Sequence, residues 1–285
     1  MLKKFAEPFA TANIAKHRQF GRYIYVAFGR HVCCPTPVIL SLCSNELNSY
    51  LISELMETDL RTLLSTKGID QEFVQYFLYQ IMRGLKYAHS AGVFHHDLKP
   101  SQILVNRNCD LKICNFGIAH VQNSSTTAYD SILHYKAPEL LFSTQNYHGQ
   151  TDIWSAGCIF AEMLVGKPLF PGDNSIHQLH AITKLLGSPP DHMLINEITK
   201  NVCYIGSIRK NFMPTAAAIE TLEILIVLDP YKRATASEAL ALPYLAPYHD
   251  PTDEPEAEKK IDWRSVEANY PLHAWKAKVY RENNP

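Results

Sequence analysis

An α+β fold is predicted for this 285-residue chain, mostly helical after residue 59 with short strands between the helices. Two patterns carry that prediction. Phe73, Phe77, Ile81 and Leu85 recur every four residues beside Val74, Leu78 and Met82, the period of a long, largely buried helix. Ile103–Val105 and Leu111–Ile113 are short apolar runs on either side of Asn106–Asp110, which reads as a hairpin. Further along, Thr151 to Val165 is a second apolar helix, in which Asp152 and Trp154 are candidates for cap and core. Thr235 and Glu238 stand three apart, as a capping box requires. Proline-rich punctuation falls at 167–171, 188–190 and 243–255. No internal repeat or low-complexity tract interrupts this order.

Composition narrows the class. The chain is 46% hydrophobic and 19% charged, an ordinary globular balance. A formal net charge of −1 gives no bulk electrostatic case for nucleic acid or membrane surface. Seven cysteines are scattered without a CxxC pair, so reduced thiols and a cytoplasmic and nuclear location are expected. The most apolar stretch, Val32 to Cys43, is too short for a membrane span and contains Pro35 and Pro37. No signal peptide is read at the start, and a monomer is expected.

The chemistry concentrates in two stretches, HHDLKPSQILV from His95 to Val105 and LKICNFG from Leu111 to Gly117. Phosphoryl transfer to a hydroxyl needs a carboxylate beside the incoming group, and Asp97 is placed for that. It needs a cation near the phosphate, and Lys99 lies two residues on. It also needs oxygen ligands for magnesium, usually an Asn in the first stretch and an Asp before Phe-Gly in the second. Those positions hold Gln102 and Asn115. The string of fixed types from Asp97 to Val105 is far more specific than a lone glycine pattern.

From about residue 50 onward the chain resembles a MAP kinase of the stress-activated branch, the fungal high-osmolarity-glycerol kinase and its animal counterpart. The supporting stretches are QYFLYQIMRGLKYAHSAGV, TDIWSAGCIFAEMLVGKPLFPG, LLGSPP and PYHDPTDEPEAEKKIDW. Thr127-Ala128-Tyr129 lies ten residues before Ala137-Pro138-Glu139 and matches the family's Thr-x-Tyr activation motif. The resemblance implies a protein-kinase-like fold. Residues 1–56 would be the remnant of a small, β-rich N-lobe, 57–245 an intact, mainly helical C-lobe, and 246–285 an extension with a docking site. It further implies that Glu139 pairs with Arg233, and that His95 and Asp152 are structural, Asp152 anchoring the catalytic-loop backbone. The Met56 backbone would meet adenine, Asp59 the ribose, and Leu104 would lie under the ring, with Leu104 and Met56 buried in any case. Lys3 would be the ATP-contacting lysine. Asp250, Asp253 and Glu254 would bind basic segments of activators, substrates or phosphatases. An upstream dual-specificity MAP kinase kinase is the implied activator, and Mg2+ and ATP are the implied cofactor and co-substrate.

The departures are specific. No G-x-G-x-x-G occurs, and only Met1 and Leu2 precede the strand that Lys3 would occupy. A sheet lacking its first strands has an open edge and should be marginal. No acidic residue lies between Glu7 and Glu46, so the glutamate that would pair with that lysine is missing. Residues 20–47 match the family poorly; a decayed lobe and a misread gene both stand open. His96 replaces the catalytic-loop arginine, and Leu133 and Lys136 stand where arginines usually meet the phosphorylated Thr-x-Tyr. Lysine lacks the bidentate fork that arginine offers a phosphate. Magnesium prefers near-octahedral oxygen ligation with charge; Asn115 is neutral, and Gln102 carries an extra methylene. The expectation is therefore a stress-branch MAP-kinase-family protein, by resemblance a proline-directed serine/threonine kinase, whose own catalysis is weak or absent. The alternative is a catalytically inactive protein that occupies docking partners in the cascade.

Overall fold

The computed structural model describes residues 41–44, 49–52, 56–66, 68–116, 133–141, 149–187 and 215–260. Lys3, Thr127, Tyr129 and most of the poorly matching segment 20–47 lie outside the described residues.

Two short strands, β1 (Ser41–Ser44) and β2 (Ser49–Ile52), pair antiparallel. A separate three-stranded antiparallel sheet has the order β3 (Thr58–Asp59), β4 (Ile103–Val105), β5 (Leu111–Ile113). The expected hairpin is β4–β5, with Ile103 opposite Ile113 and Val105 opposite Leu111. Its turn is organised by Asn106, whose Oδ1 accepts from the N–H groups of Asn108 and Asp110 at 2.9 Å each. Such side-chain mimicry of a backbone turn is why asparagine is favoured there.

Helix α1 (Leu60–Leu64) follows β3 directly, capped by Asp59, whose carboxylate accepts from Thr62 N–H at 2.8 Å. Helix α2 (Gln71–Ser90) is the periodic helix foreseen from Phe73–Leu85, and Val74, Phe77, Leu78, Ile81, Met82 and Leu85 are all buried along it. Gln80, also buried on α2, pins the hairpin: its Nε2 donates to Cys109 O at 2.9 Å and its Oε1 accepts from Leu111 N–H at 2.8 Å. That contact satisfies two backbone groups which the short strands leave unpaired.

Helix α3 (Pro138–Leu141) is one turn. Helix α4 (Gly149–Val165) packs against α2 through the middle of the core and is buried almost all round, including Trp154 and Phe160 at 0% exposure. A helix apolar on every face belongs in a core. Helices α5 (Ser175–Leu186) and α6 (Ala216–Leu225) are capped by Asn174 and Thr215. Helix α7 (Ala236–Leu240) opens on the capping box read from Thr235 and Glu238, with both halves formed. No helix among the described residues is long and apolar enough to cross a membrane.

Candidate active site

The loop between α2 and β4 is held from below by one carboxylate. Asp152, fully buried near the start of α4, accepts from His95 N–H through Oδ2 and from His96 N–H through Oδ1, both at 2.8 Å. Its Oδ2 also meets His89 Nε2 at 2.9 Å. Burial alone would raise the Asp152 pKa, but the His89 hydrogen bond and the nearby charges of His89, His96 and His95 bring it down to about 2. The loop needs such an anchor because His96 sits at φ +64°, in the left-handed region, where a non-glycine residue is costly unless its surroundings enforce it. Sequence reasoning missed His89; its signal is its place as the last of three basic residues, Arg83, Lys86 and His89, spaced three apart on a largely buried helix.

His95 is 1% exposed, and its Nε2 lies 2.9 Å from Cys114 O. Its ring also packs against Phe116, with centroids 4.9 Å apart. These contacts tie the loop that carries Asp97 to the loop that carries Asn115. Asp97 and Lys99 are brought together: Lys99 Nζ donates to Asp97 Oδ2 at 2.6 Å, each side chain about one-sixth exposed. A mostly buried carboxylate beside an ammonium group can accept a proton from an incoming hydroxyl, and the ammonium can meet an anionic oxygen. Lys136 lies close enough to feel both. Burial lowers its pKa first, with Asp97 opposing and Lys99 adding to the fall.

The metal positions are arranged differently. Gln102 is buried, at 7% exposure, and its carboxamide oxygen lies 3.8 Å from the Cys114 thiol. Its backbone carbonyl accepts from Cys114 N–H at 2.8 Å. The extra methylene thus lets the amide reach the residue before Asn115 and engage its thiol. Burial pushes that thiol up to about 11, so it stays protonated and able to donate. Asn115 is exposed and at φ +64°, a conformation asparagine adopts more readily than most residues. Among the described residues no cluster of three His, Cys, Asp or Glu side chains could hold a metal ion. A magnesium site of the usual kind needs carboxylate charge and open oxygen ligands. One neutral amide turned to a thiol and one neutral exposed amide do not fit that requirement.

The nucleotide positions are partly described. Leu104 and Met56 are half-buried, not buried as expected. In β4, Ile103 and Val105 face the core, so Leu104 falls on the opposite face by strand alternation. It is the register partner of Asp59. Asp59 spends one carboxylate oxygen on the α1 cap, a structural task in addition to the ribose contact expected of it.

The Glu139–Arg233 pair forms a buried fork. Arg233 Nη1 and Nη2 meet the two carboxylate oxygens at 2.7 and 3.0 Å. The same guanidinium donates to Val227 O and Gln150 O, and lies 5.0 Å over the Trp154 ring.

In the acidic segment the three candidate docking residues separate. Asp250 and Asp253 are exposed, but Glu254 is 2% exposed and turned inward. Its Oε1 meets His249 Nδ1 at 2.7 Å and Asp250 N–H at 3.3 Å, and its Oε2 lies 3.6 Å from Lys86 Nζ. Glu254 therefore anchors the turn and does not face a partner; acidic sequence alone could not separate an outward carboxylate from one that closes a loop.

The protein kinase domain family matches residues 37–245 of this chain. The chain is 47% identical over 293 residues to the mitogen-activated protein kinase HOG1 of Hortaea werneckii, covering 99% of itself and 80% of that protein. It is 48% identical over 295 residues to the HOG1 kinase of Chaetomium globosum, with 99% and 80% covered. Against the HOG1 kinase of Kluyveromyces lactis it is 47% identical over 293 residues, spanning 65% of that longer protein. The chain belongs to the stress-activated MAP kinase family. As a class, these kinases use ATP with magnesium and engage an upstream kinase, substrates and phosphatases. In this MAP kinase chain the expected catalytic pair, Asp97 and Lys99, is in contact on the anchored loop, and the expected metal positions hold Gln102 and Asn115.

Proposed function

We propose that this chain acts in stress-response signalling, in cytoplasm and nucleus, as a MAP-kinase-family protein whose phosphoryl transfer is weak or absent. Its work is then the engagement of basic docking segments of cascade partners. The observation that carries this reading is Gln102 turned to the Cys114 thiol beside a neutral Asn115. Metal stabilisation of a phosphoryl transition state is worth several kcal/mol, and each ~1.4 kcal/mol lost slows the reaction about tenfold. The losses act as a unit and need not add.

A second reading rests on its own observation. Asp97 and Lys99 are in contact at 2.6 Å on a loop fixed by Asp152, so residual proline-directed transfer to serine or threonine has a base and a cation in place. One experiment separates the two. Transfer from labelled ATP to a Ser-Pro substrate is measured with and without an upstream dual-specificity kinase, beside an Asp97→Ala control. No transfer from folded protein removes the kinase reading and leaves a docking protein or a decayed gene product. Transfer that disappears in the control establishes a kinase.

A further inference from the structure

Helix α2 carries three basic residues at three-residue spacing, Arg83, Lys86 and His89, on a largely apolar helix. Residues three apart share a helix face, and each of these meets an acid: Asp253, Glu254 and Asp152 respectively. Arg83 is the most buried of the three, with 5% side-chain exposure. Its Nη2 meets Asp253 Oδ1 at 2.7 Å, and its Nε donates to the Asp253 carbonyl at 2.6 Å. The Asp253 side chain nevertheless remains 66% exposed.

We propose that Arg83 is the positioning residue of the acidic docking segment: it grips both the backbone and the carboxylate of Asp253 and so presents that carboxylate to a basic peptide. The proposal rests on the docking role given above. Two effects oppose each other in this geometry. Arg83 neutralises part of the charge that a cationic partner seeks, and it also fixes where that charge stands. The second wins because a partner need not displace Arg83: two-thirds of the Asp253 side-chain surface is open while the guanidinium stays inside. The carbonyl contact matters equally, since a lysine at this place has one ammonium and cannot span a carboxylate and a carbonyl with a rigid fork. The turn it holds is closed from the other side by Glu254 with His249, and Asp250 accepts from Thr252 N–H at 2.9 Å within it.

The test measures binding of an arginine-rich peptide to the full chain across a range of salt concentrations. Arg83→Met should weaken binding about tenfold, ~1.4 kcal/mol, and flatten its salt dependence, because one carboxylate no longer engages the peptide. Arg83→Lys should weaken it nearly as much, despite keeping the charge. Tyr135→Phe, which removes a buried hydrogen bond to Glu162 far along the chain, serves as the destabilised control and should leave peptide binding unchanged. Unchanged or tighter binding by Arg83→Met overturns the proposal, as does full rescue by Arg83→Lys or equal weakening by Tyr135→Phe. Asp253→Asn tests the docking role separately. If it leaves binding intact, the docking role itself fails; if it abolishes binding while Arg83→Met does not, only the positioning role fails.

Discussion

Removing the Glu139 carboxylate should be among the most damaging single changes in the described core. The perturbation is Glu139→Ala. Arg233 has 0% side-chain exposure, so its charge has no route to water when its partner goes. Among the described residues, the fork to Glu139 at 2.7 and 3.0 Å supplies the compensating charge in contact with the guanidinium. Contacts to Val227 O, Gln150 O and Leu228 O satisfy its donors but do not neutralise it. Breaking a buried pair from one side costs about 3–5 kcal/mol, a large part of the roughly 5–15 kcal/mol that holds a domain. For a protein of this size that is a fall of about 10 °C in midpoint. Urea unfolding followed by far-UV circular dichroism measures it. The companion variant carrying both Glu139→Ala and Arg233→Met should recover a substantial part of the loss, because the orphaned charge is gone. A cost under about 1 kcal/mol for Glu139→Ala would refute the reasoning, since a group so placed would then be reached by water. A double variant worse than the sum of the single ones would refute it differently. The Arg233 contacts to three carbonyls and the Trp154 ring would then outweigh the ion pair in holding this part of the core.

Three other outcomes follow from the same geometry. Asn115→Asp should raise magnesium-dependent nucleotide binding, since it restores charge at a residue whose φ of +64° an aspartate also tolerates; calorimetric titration without any change would move the defect to Gln102 or the N-terminal region. Asp152 has its pKa lowered from 3.8 to about 2, so its contribution is complete above about pH 4 and is lost as pH falls through about 2, at most about 2 kcal/mol. The stability gap between the natural chain and Asp152→Asn should therefore narrow below pH 4, and a constant gap in acid urea titrations would contradict the assignment. Asp250→Lys with Asp253→Lys should abolish capture of a basic activator peptide, whereas retained capture would remove the docking reading.

The parts legible in the sequence are those in which chemistry is local. The four-residue period of Phe73–Leu85, the flanked turn at Asn106 and the Thr235–Glu238 spacing each fix an element through neighbours in the chain, and each element stands where those neighbours put it. The Asp97–Lys99 contact is equally local, two residues apart on one loop. What the sequence conceals is direction. Gln102 stands in the string as a misplaced ligand, but nothing linear says that its amide turns to Cys114, twelve residues away. Asp253 and Glu254 are adjacent acids, and only the packing of α2 beneath them sends one outward and the other to His249 and Lys86. Arg83, Lys86 and His89 are visible as a basic stripe on a largely apolar helix, and that pattern already carries a requirement. A charged residue on a buried face must be paired, so Arg83 and Lys86 require acids from elsewhere in the chain and His89 a polar partner. Asp253 and Glu254 of the acidic segment meet Arg83 and Lys86, and Asp152, which anchors the loop of Asp97, meets His89. One helix thus braces both the acidic segment proposed to meet partners and the loop that carries Asp97. Gln102 and Asn115 stand off that helix, so on the proposed reading a change at either leaves the acidic segment in place.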